Sequence, residues 1–192
     1  MFIEDDDVKT MLAFKEGEAE AFERLLSKYE GPIINFIYRF TRDQRQAEDL
    51  AQEVFLRVYK SAGAYVPSAK FSTWLYRIAS NLSLDYIKKR KHRVIWGARP
   101  LSGLDENGKS IEMEDEALKT PEAAAEGAAE EKRVNSALSE LPDKQRIALT
   151  LRVYEDKSYS EISGILGCST AAVESLIFRA RQNLLKNLKP GE

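Results

Sequence analysis

Ser158–Asn183 reads SYSEISGILGCSTAAVESLIFRARQN. Ile162, Ile165 and Leu166 fall on one face of a short helix. Ser158 and Glu161 have the spacing of a capping box, and Gly167 supplies a tight turn. Ser169 then caps a longer helix whose inward stripe is Val173, Leu176, Ile177, Ala180, Leu184 and Leu188. This pattern predicts a helix-turn-helix, whose second helix enters a DNA major groove. Thr170, Ala171, Glu174, Ser175, Phe178, Arg179 and Gln182 are left on the outward side. Short hydroxyls suit phosphate or base edges, and a guanidinium can fork onto guanine or phosphate. The candidate DNA contacts are therefore Ser169, Thr170, Ser175, Phe178, Arg179 and Arg181. Locally, a plain αα-hairpin with a solvated basic face fits the same pattern. Glu174 tells mildly against a groove, since a carboxylate repels phosphate.

Working outward, the rest of the chain is also helical in pattern. Val8 to Lys15 starts a first helix, and Glu18 to Tyr29 a second with Ala21, Phe22, Leu25 and Leu26 on one face. Gly31-Pro32 breaks or kinks it before Ile33 to Phe40 continues. Asp43 and Gln46 open a third helix, ended near Gly63 by a left-handed glycine cap. A helix from about Phe71 to Arg93 carries an apolar stripe of Phe71, Trp74, Leu75, Ile78, Ala79 and Leu82. Residues 97–120 have no sustained period and are acidic, which reads as a linker. The Ala/Glu run 121–131 and a helix after Pro142 precede the quoted segment. The expected architecture is all-α: two small helical domains, 1–95 and 121–192, on a flexible acidic linker over 96–120.

The chain has 192 residues and a net charge of −2, but the charges are segregated. Residues 86–99 hold six bases and no acid, residues 105–131 hold ten acids and two bases, and residues 142–189 hold eight bases and five acids. Distribution, not the sum, sets the local field. One cysteine, Cys168, and one histidine, His92, offer neither an intrachain disulfide nor a metal motif. With no glycine-rich phosphate loop and no paired acids in a plausible pocket, the expectation is no catalysis, no metal and no cofactor. The acidic N-terminus is no signal peptide and no apolar run spans a bilayer, so a cytoplasmic location without membrane insertion is expected.

A second motif, FSTWLYRIASN at 71–81, runs into KKRKHR at 88–93. Rings beside a basic track suit single-stranded nucleic acid, because bases stack while cations hold the backbone. Phe71 and Trp74 fit the apolar stripe and read as core. Tyr76, Asn81 and the basic run lie off it and read as functional, although a basic run can also be a helix end that complements the dipole.

DLAQEVFLRVYK (49–60), FSTWLYRIASNLSLDYIKKRKHR (71–93) and LPDKQRIALTLRVYEDKSYSEISGILGCSTAAVESLIFRAR (141–181), in this order and spacing, resemble the extracytoplasmic-function sigma factors of the bacterial sigma-70 family. The resemblance implies a region 2-like bundle that binds core RNA polymerase and melts the minus-10 element, and a region 4-like helix-turn-helix that reads minus-35. It implies that Asp49, Gln52, Glu53 and Phe55 grip the clamp helices of the largest polymerase subunit. It places Tyr65, Lys70, Tyr76, Arg77, Asn81, Lys88, Lys89 and Arg90 at the minus-10 element, where a base is flipped into a protein pocket. It further implies an anti-sigma protein as regulatory partner and a stress or envelope response. The rival from another class is a two-domain DNA-binding regulator whose first domain senses a ligand or dimerises.

Overall fold

The computed structural model describes residues 4–95 and 133–188, all of it helices and connecting turns. The linker and the Ala/Glu run lie outside the described residues. Helix α1 spans Asp6–Lys15, α2 Ala19–Thr41, α3 Gln44–Ser61 and α4 Phe71–Ile95. A helical segment at 133–139 (α5) precedes α6 (Asp143–Val153), α7 (Tyr159–Leu166) and α8 (Thr170–Leu188).

Local chemistry sets most of these ends. Asp5 caps α1 by accepting from the backbone N–H groups of Asp7 and Val8 at 3.0 and 3.1 Å. Asp43 caps α3 by accepting from the Gln46 N–H at 3.0 Å. Two expectations are corrected. Gly31-Pro32 does not break α2, which runs through Pro32. Both residues are exposed, so the carbonyl that proline leaves without its amide partner faces solvent. Gly63 is not a left-handed cap: α3 ends at Ala62 in a right-handed conformation and tightens into a 3₁₀ turn, Ala62–Ala64.

Helices α1–α4 close around Met11, Leu25, Ile33, Phe36, Ile37, Val54, Val58, Phe71 and Leu75. Helices α6–α8 close around Ile147, Leu151, Ile162, Ile165, Val173 and Ile177. Each such side chain contributes about 1.5–3 kcal/mol by leaving water. The two bundles then meet, with α4 lying against α7 and α6. That third contact covers part of the outward face of α4.

Candidate nucleic-acid interface

The helix-turn-helix forms as its sequence requires. The Ser158 Oγ accepts from the Glu161 N–H at 3.2 Å, and the Glu161 carboxylate accepts from the Ser158 N–H at 2.9 Å. Gly167 closes α7 in the left-handed region at φ 63°, where a Cβ would be strained. The Ser169 hydroxyl accepts from the Ala172 N–H at 3.2 Å and starts α8. Helices α7 and α8 meet at 100°, within the usual range for this motif. Val173, Ile177 and Ala180 are buried, while Ser169, Thr170, Ser175, Phe178, Arg179 and Arg181 are all exposed. Phe178 is 61 % exposed, an unusual position for an aromatic ring that only packs a core.

On the other bundle, a cavity of about 450 Å³ opens beside α4. Tyr65, Val66, Trp74 and Ile78 give it apolar walls, and Arg57, Ser61, Ser68, Arg77 and Asn81 give it hydrogen-bonding groups. The Tyr65 and Trp74 ring centres are 4.9 Å apart. A planar heterocycle could lie against such walls while its edge meets the polar rim. Of the residues that the resemblance places at the minus-10 element, Tyr65, Arg77 and Asn81 lie together on this cavity. The sequence did not single out Arg57 or Val66 and assigned Trp74 to the core, although Trp74 is only half-buried. The signal for Trp74 was its place at the edge of the stripe. Lys88, Lys89 and Arg90 are exposed further along α4, and Arg90 donates to the Thr41 carbonyl at 3.3 Å.

Tyr76 departs from its reading as an off-stripe functional residue, being only 3 % exposed. Its inner side packs edge-on against Phe36 at 5.3 Å, and its hydroxyl donates to the Glu155 carboxylate of the other bundle. Lys157 stands 4.8 Å from the centre of the same ring. Ser80 is likewise buried. The α4 face that looked free is covered by a second layer.

Further contacts join the two bundles. Lys70 pairs with Glu161 at 2.9 Å and Lys91 with Asp143 at 2.6 Å. The Arg77 Nε donates to the Gly164 carbonyl at 3.0 Å. Arg146 donates to the Arg39 carbonyl and lies 4.9 Å from the Phe40 ring centre. A second cavity, of about 580 Å³, lies between α4 and the turn of the helix-turn-helix. Arg77 and Asn81 from one bundle and Gly164, Cys168 and Ser169 from the other line it.

The contact region perturbs its acids and bases. Burial pushes the Glu155 carboxyl up, against the opposing hydrogen bond from Tyr76 and the charges of Arg39 and Lys157. Burial also acts upward on Glu161, but hydrogen bonds from the Ser158 backbone and from Lys70 outweigh it and hold that carboxyl at about 2. Burial, with Arg42 nearby, draws the Arg146 guanidinium down to about 10. Burial raises the Tyr65 phenol to about 12. Among the described residues no cluster of three or more His, Cys, Asp or Glu could hold a metal ion.

On α3, Asp49 and Gln52 are exposed, and Glu53 pairs with Arg57 at 2.8 Å along the same face. Phe55 differs: at 5 % exposure it belongs to the core beside Val54 and Val58. Leu56 and Tyr59 instead are the exposed large apolar groups of that helix. The inward spacing Ala51, Val54, Phe55, Val58 already contained this distinction.

Comparison with known proteins accounts for the pairing of these surfaces. Residues 25–93 match the model for sigma-70 region 2, and residues 131–184 the model for sigma-70 region 4. The chain is 35 % identical to the RNA polymerase sigma-H factor of Pseudomonas aeruginosa, over 99 % of this chain and 97 % of that protein. It is 33 % identical to the ECF RNA polymerase sigma factor SigW of Bacillus subtilis, over 94 % and 96 %. In fold it is similar to CnrH, solved in complex with the cytosolic domain of CnrY, at a TM-score of 0.70 and 22 % identity over 96 % of this chain and 97 % of that one. It is also similar to the sigma factor RpoE of Bartonella quintana, solved with the anti-sigma factor NepR, at a TM-score of 0.67 and 20 % identity over 91 % and 100 %. The chain belongs to the extracytoplasmic-function branch of the sigma-70 family, whose members bind core RNA polymerase and direct it to promoters.

Proposed function

We propose the following division of labour within this sigma factor. The bundle α1–α4, within 1–95, reads the melted minus-10 element, and the bundle within 121–192 reads minus-35 as a duplex. The acidic stretch 96–120 links them. The cavity beside Tyr65 and Trp74 receives a flipped base, with Asn81 and Arg77 at its edge and Lys88, Lys89 and Arg90 on the phosphate path. Ser169, Thr170, Ser175, Phe178, Arg179 and Arg181 face the minus-35 groove. Asp49, Gln52 and Glu53, joined by Leu56 in place of the core residue Phe55, meet the polymerase clamp.

One observation carries this reading: a single chain presents an exposed recognition helix and, on a separate bundle, an aromatic-walled polar cavity beside a basic track. Two relatives in fold are solved in complex with another protein, in one case named an anti-sigma factor. That supports an anti-sigma protein as partner here, with a role in a stress or envelope response. The protein acts in the cytoplasm without catalysis of its own; among the described residues no single helix is long and apolar enough to cross a membrane. Run-off transcription with core polymerase and a randomised promoter library tests the assignment. Enriched sequence at two positions is expected. Enrichment at minus-35 alone would remove the base-pocket role, and no start-site selectivity would remove the whole reading.

A further inference from the structure

We propose that Glu174 is a specificity residue of α8: its carboxylate accepts a hydrogen bond from the exocyclic amine of a cytosine in the minus-35 element. The proposal rests on the duplex-reading role of α8 above and names one base that this helix selects. Glu174 is the sole acid of α8, and it is exposed. It stands on the outward side with Thr170, Ser175, Phe178 and Arg179, while Val173 and Ile177 beside it are buried. A carboxylate on a face that meets phosphates needs a reason, because it repels them.

The helix itself has no use for this charge. Other glutamates of the chain have structural partners: Glu53 pairs with Arg57 at 2.8 Å, Glu161 accepts from the Ser158 N–H at 2.9 Å, and Glu155 accepts from the Tyr76 hydroxyl. Glu174 has Thr170 and Ala171 one turn before it and Ile177 and Phe178 one turn after it, so no base stands at pairing spacing along α8. Among the described residues its carboxylate takes no hydrogen bond and forms no ion pair. It also lies beyond the first turn of α8, which carries no acid, so the helix dipole holds it only weakly.

The major groove supplies the partner. There guanine shows two acceptors, thymine an acceptor and a methyl, and adenine an acceptor beside its amine, whereas cytosine shows a donor alone. An ionised carboxylate only accepts, so cytosine is the one base it meets without an opposing acceptor. Side chains lean toward the N-terminus of their helix, so the Phe178 ring, 61 % exposed, leans over the turn that carries Glu174. An apolar ring there keeps water from one flank of the carboxylate, and a hydrogen bond shielded from water is stronger. Arg179 and Arg181 outnumber Glu174 on the exposed side of α8. The carboxylate therefore tunes the choice of base without cancelling the attraction to the duplex.

The test is run-off transcription by core polymerase with the full chain, on a library randomised across minus-35. The parent is expected to enrich cytosine at one position. Glu174→Gln keeps the shape and adds a donor, and glutamine pairs with the amine and ring nitrogen of adenine. That variant is expected to lose the preference for cytosine over adenine by about ten-fold at that position, the scale of one base contact, with enrichment elsewhere in the element intact. Glu174→Ala is expected to abolish the preference without gaining adenine. Both variants should melt with the parent, since the side chain is exposed and unpaired. An unchanged cytosine preference in both would overturn the proposal. So would a Glu174→Ala chain that transcribes more from every minus-35 sequence alike, the mark of plain phosphate repulsion. A parent that enriches a minus-35 element whose bases do not respond to Glu174 leaves the duplex-reading role of α8 standing and removes only this residue's part. A parent that enriches nothing at minus-35 removes both.

Discussion

Helices α4 and α8 carry the proposed nucleic-acid contacts, yet they present themselves differently. Helix α8 is covered on one side only; Val173, Ile177 and Ala180 face in, and Thr170, Ser175, Phe178 and Arg179 face water. Over much of its length α4 is covered on two sides. Phe71, Leu75 and Ala79 meet its own bundle, while Thr73, Tyr76 and Arg77 meet the other. One buried face yields a periodic, readable helix, and two buried faces erase the contrast. The comparison separates two kinds of helix: the outward face of α8 is open, and part of the outward face of α4 lies under the second bundle.

The harshest way to break this comparison is Phe36→Ala. Phe36 is fully buried, packs edge-on against Phe40 at 5.1 Å and supports the Tyr76 ring from within. Emptying that site costs about 3–5 kcal/mol. The expected result is a urea transition for α1–α4 shifted to lower denaturant, with the α8 amides still protected in hydrogen exchange. Loss of α8 protection in the same transition would mean that the two bundles are one cooperative unit.

Next in size is Arg179→Ala. An exposed guanidinium on α8 adds nothing to the core, so stability should stay within about 0.5 kcal/mol. If Arg179 forks onto a base, transcription from a promoter that depends on minus-35 falls by the equivalent of about 1–3 kcal/mol. A phosphate contact would instead weaken all promoters alike and flatten the salt dependence. Comparing the mutant on matched and mismatched minus-35 sequences separates the two.

These differences explain what could be read before the coordinates. The all-α class, both capping residues of the helix-turn-helix and every exposed residue assigned to α8 follow from short-range rules: a 3.6-residue period, a hydroxyl before a helix, a glycine after one. The assignments that shifted depend on neighbours distant in sequence. Tyr76 lies 79 residues from the Glu155 that covers it. The resemblance implies a polymerase contact for Phe55, although its spacing from Ala51 and Val58 points inward. Pro32 breaks the helix in a local rule and leaves it whole where its face meets solvent.

A smaller effect sharpens the same contrast at α7. Ser158→Ala removes the hydroxyl that accepts from the Glu161 N–H, a loss of about 1 kcal/mol for a helix cap. It also loosens Glu161, whose carboxyl is held at about 2 partly by Ser158. A depressed carboxyl adds stability above its ordinary value of 4.5 and loses it as pH falls toward about 2. The mutant should therefore melt lower at neutral pH and lose less of its stability between pH 5 and 2. Parallel melting profiles for mutant and parent would show that the backbone N–H of residue 158 and Lys70, not the hydroxyl, set the acid response.

The smallest expected change is Ser83→Ala on α4. Its hydroxyl is fully buried and its Oγ has no hydrogen-bond partner. A buried hydroxyl without a partner carries a desolvation penalty, so its removal should leave stability unchanged or raise it by up to about 1 kcal/mol. The reason to measure so slight a shift is what displacing α7 would do to it. A side chain in place of Gly164 would press on Thr73 of α4, so Gly164→Gln is the variant that loosens α7 from α4. If α4 keeps Ser83 packed against its own bundle, the gain is the same in the parent and in the Gly164→Gln chain. If displacing α7 hydrates Ser83, the gain vanishes in that background. A double-mutant cycle in urea thus tells which side of α4 the second layer covers, with a coupling above about 0.5 kcal/mol marking Ser83 as part of the docked face.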